Sequence, residues 1–252
     1  MFAAMDEDKA WFGFRRVEAQ EKPALVRGVF ERVASRYDLM NDLMSGGIHR
    51  LWKADLIDWL NPRAGELLLD VAGGTGDIAF RTLGRTGKGG RVIVCDLTPA
   101  MLNVGRDRAI DRGILAGIEW IAGDAQALPV ADRSVDAYTI AFGLRNVTDI
   151  DRALAEARRV LKPGGRFVCL EFSQVILPLL KQLYDLYSFR VLPWMGRMVA
   201  GDRDSYVYLV ESIRRFPAQA ALVERLKAAG FGETRYRNLS GGIAALHTAW
   251  RI

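Results

Sequence analysis

From Pro62 onward, short continuous apolar runs alternate with helical patterns, and this alternation restricts the fold more than any other feature of the chain. The runs are LLLDVA (67–72), RVIVCDL (91–97), IEWIAGD (118–124), VDAYTIAF (135–142) and RFVCLEFS (166–173). A strand that is apolar along its whole length must be covered on both faces, so the pattern predicts an α/β fold with a mostly parallel sheet and helices on each side. The intervening helices begin near Asp77, Pro99 and Asp149, with Asp77, Thr98 and Thr148 at cap or first-turn positions. LKPGG (161–165) stops a helix and leads into a strand. Two last strands are expected around 231–239 and 243–251, paired as a hairpin, which makes seven. Upstream, residues 1–62 read as helical: Val26, Phe30, Val33 and Tyr37 share one helical face, and Leu51 to Leu60 forms a second amphipathic stretch. The expected organisation is a single domain over 1–252, with an N-terminal helical cap (1–62), a ligand-binding core (63–173), a helical insertion after the fifth strand (174–230) and C-terminal strands (231–252).

Half of the 252 residues are apolar, enough for a sizeable core. Two cysteines, both in apolar runs, make neither a disulfide framework nor a zinc site, and two histidines argue against a metal centre. No metal is expected. The net charge of +5 is compatible with anionic partners and requires none. The opening MFAAMDEDKAWFGF is acidic where a secretory signal needs positive charge. The segment 175–200 is interrupted by Lys181, Asp185 and Arg190, so it does not read as a membrane span. The expectation is a soluble, cytoplasmic protein.

The sharpest local signal is LLLDVAGGTGDIA (67–79), where a strand enters a glycine turn that opens a helix. It fits a dinucleotide loop as Gly74-x-Gly76-x-x-Ala79, with Asp96, 22 residues beyond Gly74, placed to accept ribose hydroxyls. To this point nicotinamide cofactors and S-adenosylmethionine (SAM) are both allowed. Asp70 and Asp77 discriminate between them. A pyrophosphate at this helix N-terminus would be repelled by the carboxylates, whereas SAM brings an ammonium and a sulfonium. Gly123-Asp124-Ala125 ends the third run, where an acid can accept from an adenine amino group. The strand ends at 70–76, 96 and 124 then describe one crevice above the sheet.

At this point the chain resembles the class I SAM-dependent methyltransferases, and more closely the UbiE/MenG-type quinone C-methyltransferases. The matching blocks span nearly the whole chain: FGF (12–14), VFERVASRYDLMNDLMSGGIHRLWK (29–53), LDVAGGTGD (69–77), GDAQALP (123–129), TIAFGLRNVTD (139–149), RVLKPGGRFVCLEFS (159–173), YDLYSF (184–189), SYVYLVESIRRFP (205–217) and NLSGGIAALH (238–247). The glycine loop is common to many methyltransferases; the AFGLRN, YDLYSF and SYVYLVESIRRFP blocks are far more specific. The resemblance implies a Rossmann-like fold with SAM as cofactor. Asp70, Gly73, Gly74, Thr75 and Gly76 would line its methionine end, Asp96 and Leu97 its ribose, and Asp124 with Ala125 its adenine, while Tyr37 would close over it. The implied reaction is methylation of a ring carbon of a polyprenylated quinol, either 2-methoxy-6-polyprenyl-1,4-benzoquinol or demethylmenaquinol. One departure stands out: the family often continues LEFS with Lys-Pro, and here Gln174-Val175 follows.

A ring carbon becomes nucleophilic when a quinol loses a phenolic proton, so the acceptor must be reduced and held in line with the methyl group. Arg145 and Asn146, after the fourth run, are the catalytic candidates, orienting the phenol or a water that takes its proton. Arg145 alone equally suits a strand or helix end. His49 is a weaker candidate base and His247, in a strand pattern, reads as core or surface. Phe142, Tyr184 and Tyr187 are expected on the acceptor and prenyl side, although a helix simply packed on the sheet explains the insertion equally well. Contacts with an anionic membrane surface, with other quinone-synthesis enzymes or with a second copy are compatible with the sequence. Nucleic acid is not expected, since neither cysteine sits in a loop motif and GLRN stands where base amino methylases carry a Pro-Pro-aromatic loop. The alternatives carried are a SAM-dependent methyltransferase of RNA or of another small molecule, and a scaffolding subunit of a quinone-synthesis complex.

Overall fold

Among the described residues the chain begins with a hairpin rather than a helix: β1 (Lys9–Phe12) pairs antiparallel with β2 (Arg15–Glu18). The computed structural model describes residues 9–34, 41–42, 45–176, 178, 182, 184, 186–188 and 203–252. Tyr37 lies outside them. Gly13 has φ +60° as the first of the hairpin's two central residues, a position where a type II′ turn takes glycine. The expectation of helix throughout 1–62 therefore fails at 9–18. The strands are too short, and too exposed on β2, to leave an apolar period.

Helices α1 (Lys22–Val33) and α2 (His49–Leu60) follow. The predicted alternation then appears: β3 (Leu67–Val71), α3 (Asp77–Thr86), β4 (Arg91–Asp96), α4 (Pro99–Asp111), β5 (Ile118–Ala122), β6 (Val135–Ala141), α5 (Ile150–Val160) and β7 (Leu161–Phe172). The last described elements are α6 (Arg203–Arg215), α7 (Gln219–Ala228), β8 (Gly232–Leu239) and β9 (Ala244–Trp250). The sheet has seven strands in the order β5-β4-β3-β6-β7-β9-β8. The first five in that order run parallel, β9 is antiparallel to β7, and β8 is antiparallel to β9. LKPGG belongs to this sheet. Val135 pairs with Leu161 and Ala137 with Arg166, so Lys162 to Gly165 bulge out between the two registers.

Alternate residues of the inner strands enter two separate cores. Leu68, Val92, Ala137 and Val168 face one, with Leu56 and Leu60 of α2, Ile78 of α3, Leu102 of α4 and Leu209 of α6. Leu69, Cys95, Tyr138 and Cys169 face the other, with Leu154 and Ala157 of α5 and Leu222 and Leu226 of α7. The stretch expected as one helical insertion thus divides, with α6 on the first face and α7 on the second.

The hairpin is fastened to α6. The Phe12 and Tyr208 rings stack with centroids 4.2 Å apart and planes 19° apart, and the Phe14 amide donates to Glu211 at 3.0 Å. Phe12→Ala removes a buried ring and its stacking partner, and is expected to lower unfolding free energy by about 3 kcal/mol, read from urea midpoints at unchanged m-value.

Candidate active site

The chain winds from β3 through β4 to β5 on one side and returns to β6 on the other, so the carboxyl ends of β3 and β6 flank a topological switch point. A cleft of about 720 Å³ opens there, walled by Val71, Ala72 and Gly74 after β3, Asp96 to Thr98 after β4, Gly123 to Gln126 after β5, and Phe142, Gly143 and Asn146 after β6. Pro23, Val26 and Phe30 of α1 and Met101 of α4 complete the wall. Two residues at its centre hold a left-handed backbone without being glycine: Ala72 at φ 50° and Phe142 at φ 58°. Such conformations cost about 1–3 kcal/mol each and persist where their surroundings fix them. Phe142 is fixed at both ends, since its N–H donates to the Leu170 carbonyl at 2.7 Å and its carbonyl accepts from Arg145 Nη1.

The carboxylates expected along the crevice come together. Asp96 is buried, accepting from the Gly74 amide at 2.9 Å and the Thr98 amide at 2.8 Å. Burial pushes its carboxyl above the usual range, against the pull of those two amides. Its oxygens keep free lone pairs, and the residue lines the cleft beside Leu97. Asp124 accepts from the Gln126 amide at 2.9 Å and lines the cleft with Ala125. Asp70 is fully buried. Its Oδ1 accepts from the Thr139 hydroxyl at 2.7 Å, and its Oδ2 has no hydrogen-bond partner. Burial raises its pKa from 3.8 to about 7, with Asp77 and Asp96 adding to the rise while Thr139 and Lys53 oppose it.

Asp70, Gly73, Gly74 and Thr75 line a smaller lobe of about 340 Å³ that meets the cleft at Ala72 and Gly74. The Thr75 hydroxyl accepts from Arg108 at 2.9 Å. Gly76 lines neither space. Its φ is +81°, and a Cβ there would lie 2.5 Å from the Trp120 ring, so it serves the turn and the packing of α3. Asp77, read in the sequence as an acid flanking the glycines, is bound at 2.8 Å to Lys53 and at 3.0 Å to Arg81. Against the cost of burial, those two cations hold its pKa below the usual value. The loop's uncompensated acids are therefore Asp70 and Asp96.

On the acceptor side, Phe142 and Asn146 line the cleft, and Arg145 does not. The Arg145 side chain is 2% exposed and lies 2.7 Å from Glu171, itself 1% exposed. Glu171 also accepts from the Arg145 and Phe172 amides at 3.2 and 2.9 Å. The expected contact of Arg145 with a phenol gives way to a clamp on the chain behind Asn146. The Asn146 Oδ1 accepts from the Tyr208 hydroxyl at 3.0 Å. Tyr184 and Tyr187 line no part of the cleft formed by the described residues; the Tyr184 ring lies under the Arg214 guanidinium at 5.2 Å, and Tyr187 packs on the first core. His49 is buried, 2.9 Å from the Ser45 hydroxyl, and its pKa is lowered chiefly by burial. Of the two places open to it, core and surface, His247 takes the core, with burial pulling its pKa to about 4.

Sequence reasoning missed Lys53, Glu171 and Tyr208, whose partners are distant in the chain and adjacent only across packed elements. Met101 and Gln126 carried no signal; Val26 and Phe30 did, as one face of α1.

The donor set suits SAM. An ammonium answers the unpartnered Asp70 oxygen, a ribose answers Asp96, and neither acid would accept a phosphate. Because a cation at Asp70 favours the ionised carboxyl, SAM binding should release a proton near pH 6.5 and weaken as pH falls below about 7; calorimetry in buffers of different ionisation enthalpy reads both. Without ligand, the folded carboxyl keeps its proton up to about pH 7 and the unfolded one loses it near 3.8. Stability should therefore fall between those values as pH rises, and Asp70→Asn should flatten that slope. Asp96→Asn sets an amide donor against two backbone N–H groups and is expected to weaken SAM binding by about 100-fold in the same titration.

The family model described as "ubiE/COQ5 methyltransferase family" matches residues 16–251. The chain is 61% identical over 248 residues to a Paracoccus denitrificans protein named ubiquinone/menaquinone biosynthesis C-methyltransferase UbiE, covering 98% of this chain and 99% of that one. It is 58% identical over 241 residues to a Cereibacter sphaeroides protein of the same name, covering 96% of each. A solved SAM-dependent methyltransferase from Thermotoga maritima shares the fold at TM-score 0.65 and 20% identity, covering 90% of this chain and all of that one. With the glycine loop, the three strand-end acids and the acceptor loop in their places, the chain belongs to the ubiE/COQ5 methyltransferase family.

Proposed function

We propose that this protein methylates a ring carbon of a polyprenylated quinol in ubiquinone or menaquinone biosynthesis, using SAM. The observation that carries the reading is identity of 61% and 58% along essentially the whole chain to proteins named for that reaction. The acceptor is 2-methoxy-6-polyprenyl-1,4-benzoquinol, demethylmenaquinol, or both.

Bound SAM supplies an electrophilic methyl carbon on a sulfonium sulfur. The chain supplies position and charge. Asp96 holds the Gly74 and Thr98 amides in register while offering its remaining lone pairs to a ribose. Asp70 takes the ammonium in the smaller lobe, and Asp124 and Ala125 receive the adenine. Asn146 faces the cleft from the opposite wall and holds the acceptor's ionised oxygen, which keeps electron density on the ring carbon beside it. Neither histidine lines the cleft formed by the described residues, and Asp96 and Asp124 are given to the cofactor, so in this reading water takes the phenolic proton. Phe142, Val26 and Phe30 give the ring an apolar seat that excludes bulk solvent.

A prenylated acceptor resides in lipid. Among the described residues no helix is long and apolar enough to cross a membrane. Peripheral contact with an anionic membrane surface is part of this reading, supported by Ile176 and Leu186, which are 58% and 52% exposed on the segment after β7.

Methyl transfer from labelled SAM to a short-chain benzoquinol and to demethylmenaquinol, each with and without dithionite, tests the reaction. Transfer is expected only under reduction, and equal transfer to the oxidised quinone would refute the enolate-like acceptor. Asn146→Ala is expected to keep SAM affinity and lose about 100-fold in kcat.

A further inference from the structure

Asn146 can present either end of its amide to the cleft, and the two ends have opposite chemistry. An NH2 group stabilises an ionised phenol; a carbonyl oxygen repels it. The side chain is one bond from either state, so something must choose. Tyr208 of α6 is the group in contact. Its hydroxyl donates to Oδ1 at 3.0 Å, and the Asn146 Nδ2 group makes no hydrogen bond to the described residues. Tyr208 is 4% exposed and burial raises its pKa, so the phenol keeps a proton that needs an acceptor, and among the described residues that acceptor is Asn146 Oδ1. Its ring is locked by the Phe12 stack at 4.2 Å. The Asn146 backbone is locked separately, because Glu171 grips Arg145 and Arg145 grips the Phe142 carbonyl.

We infer that Tyr208 is a positioning residue that turns the Asn146 amide so that Nδ2 faces the cleft and holds the acceptor's phenolate. The inference rests on the quinol methyltransferase reading for its acceptor. It assigns to the 205–217 block a task at the reacting centre, carried through Asn146 and set in place by the N-terminal hairpin.

Tyr208→Phe removes the hydroxyl and keeps the stack. It should lower kcat about 10-fold with SAM affinity unchanged, and should move the pH at which kcat rises upward by about one unit. Because Tyr208 acts through Asn146, adding Tyr208→Phe to Asn146→Ala should cause no further loss. A second readout needs no methyl transfer: 4-nitrophenol, bound in the presence of S-adenosylhomocysteine, should ionise at lower pH than in solution, and less so in Tyr208→Phe. An unmoved kcat and pH profile in Tyr208→Phe, losses that multiply in the double variant, or a bound nitrophenol with its solution pKa would overturn the inference. A protein that lowers the nitrophenol pKa through Tyr208 but methylates neither reduced quinol keeps the positioning role and refutes the acceptor.

Discussion

The acceptor side of this enzyme hangs on one buried ion pair. Arg145 and Glu171 are withdrawn almost completely from water, and burying each charge costs several kcal/mol. Their mutual contact and the hydrogen bonds to the Arg145 and Phe172 amides and the Phe142 carbonyl offset that cost. Such a pair is poor at adding stability and good at fixing a geometry, because removing either partner strands the other. What it fixes here is the turn after β6, where Phe142 is held in a conformation that few non-glycine residues adopt. The cleft wall at Phe142 and Gly143 and the placement of Asn146 follow from that turn.

The donor side is organised by charge rather than by shape. Asp70 and Asp96 are buried acids with their pKa values pushed up, and Asp77 has its charge answered by Lys53 and Arg81. The preference for a cationic ligand over a pyrophosphate therefore rests on two carboxyls with no salt bridge among the described residues, the third being paired with Lys53 and Arg81. Asp96 links charge to backbone: a carboxylate that lines the cleft also ties the glycine loop to the start of α4.

Much of this was legible in the sequence. Four of the five parallel strands announced themselves as continuous apolar runs because both of their faces are largely buried, β5 being a half-exposed edge, and the switch point follows from their order. Asp96 and Asp124 were legible because strand ends of a doubly wound sheet converge on one crevice. The N-terminal hairpin was not, because four-residue strands leave no reliable period and its anchor, Tyr208, lies 196 residues from Phe12. The burial of Arg145 was hidden for a related reason. An arginine after a strand suggests an active-site cation unless its counter-ion is seen, and Glu171 sits within an apolar run on the neighbouring strand. The placement of α7 on the second face was equally hidden, since an amphipathic helix does not declare which side of a sheet it will cover.

The position of β9 has a consequence for how the molecule is made. This strand lies inside the sheet, bonded to β7 on one side and β8 on the other, although it follows β7 by about 70 residues in the chain. A ribosome emits β7 long before its neighbour exists. Throughout that interval the outer edge of β7, with Phe167, Cys169 and Leu170 along it, offers unsatisfied backbone groups to any strand that passes. The nascent protein is thus most exposed to chaperones, and to misassembly with its own copies, during synthesis of α6 and α7.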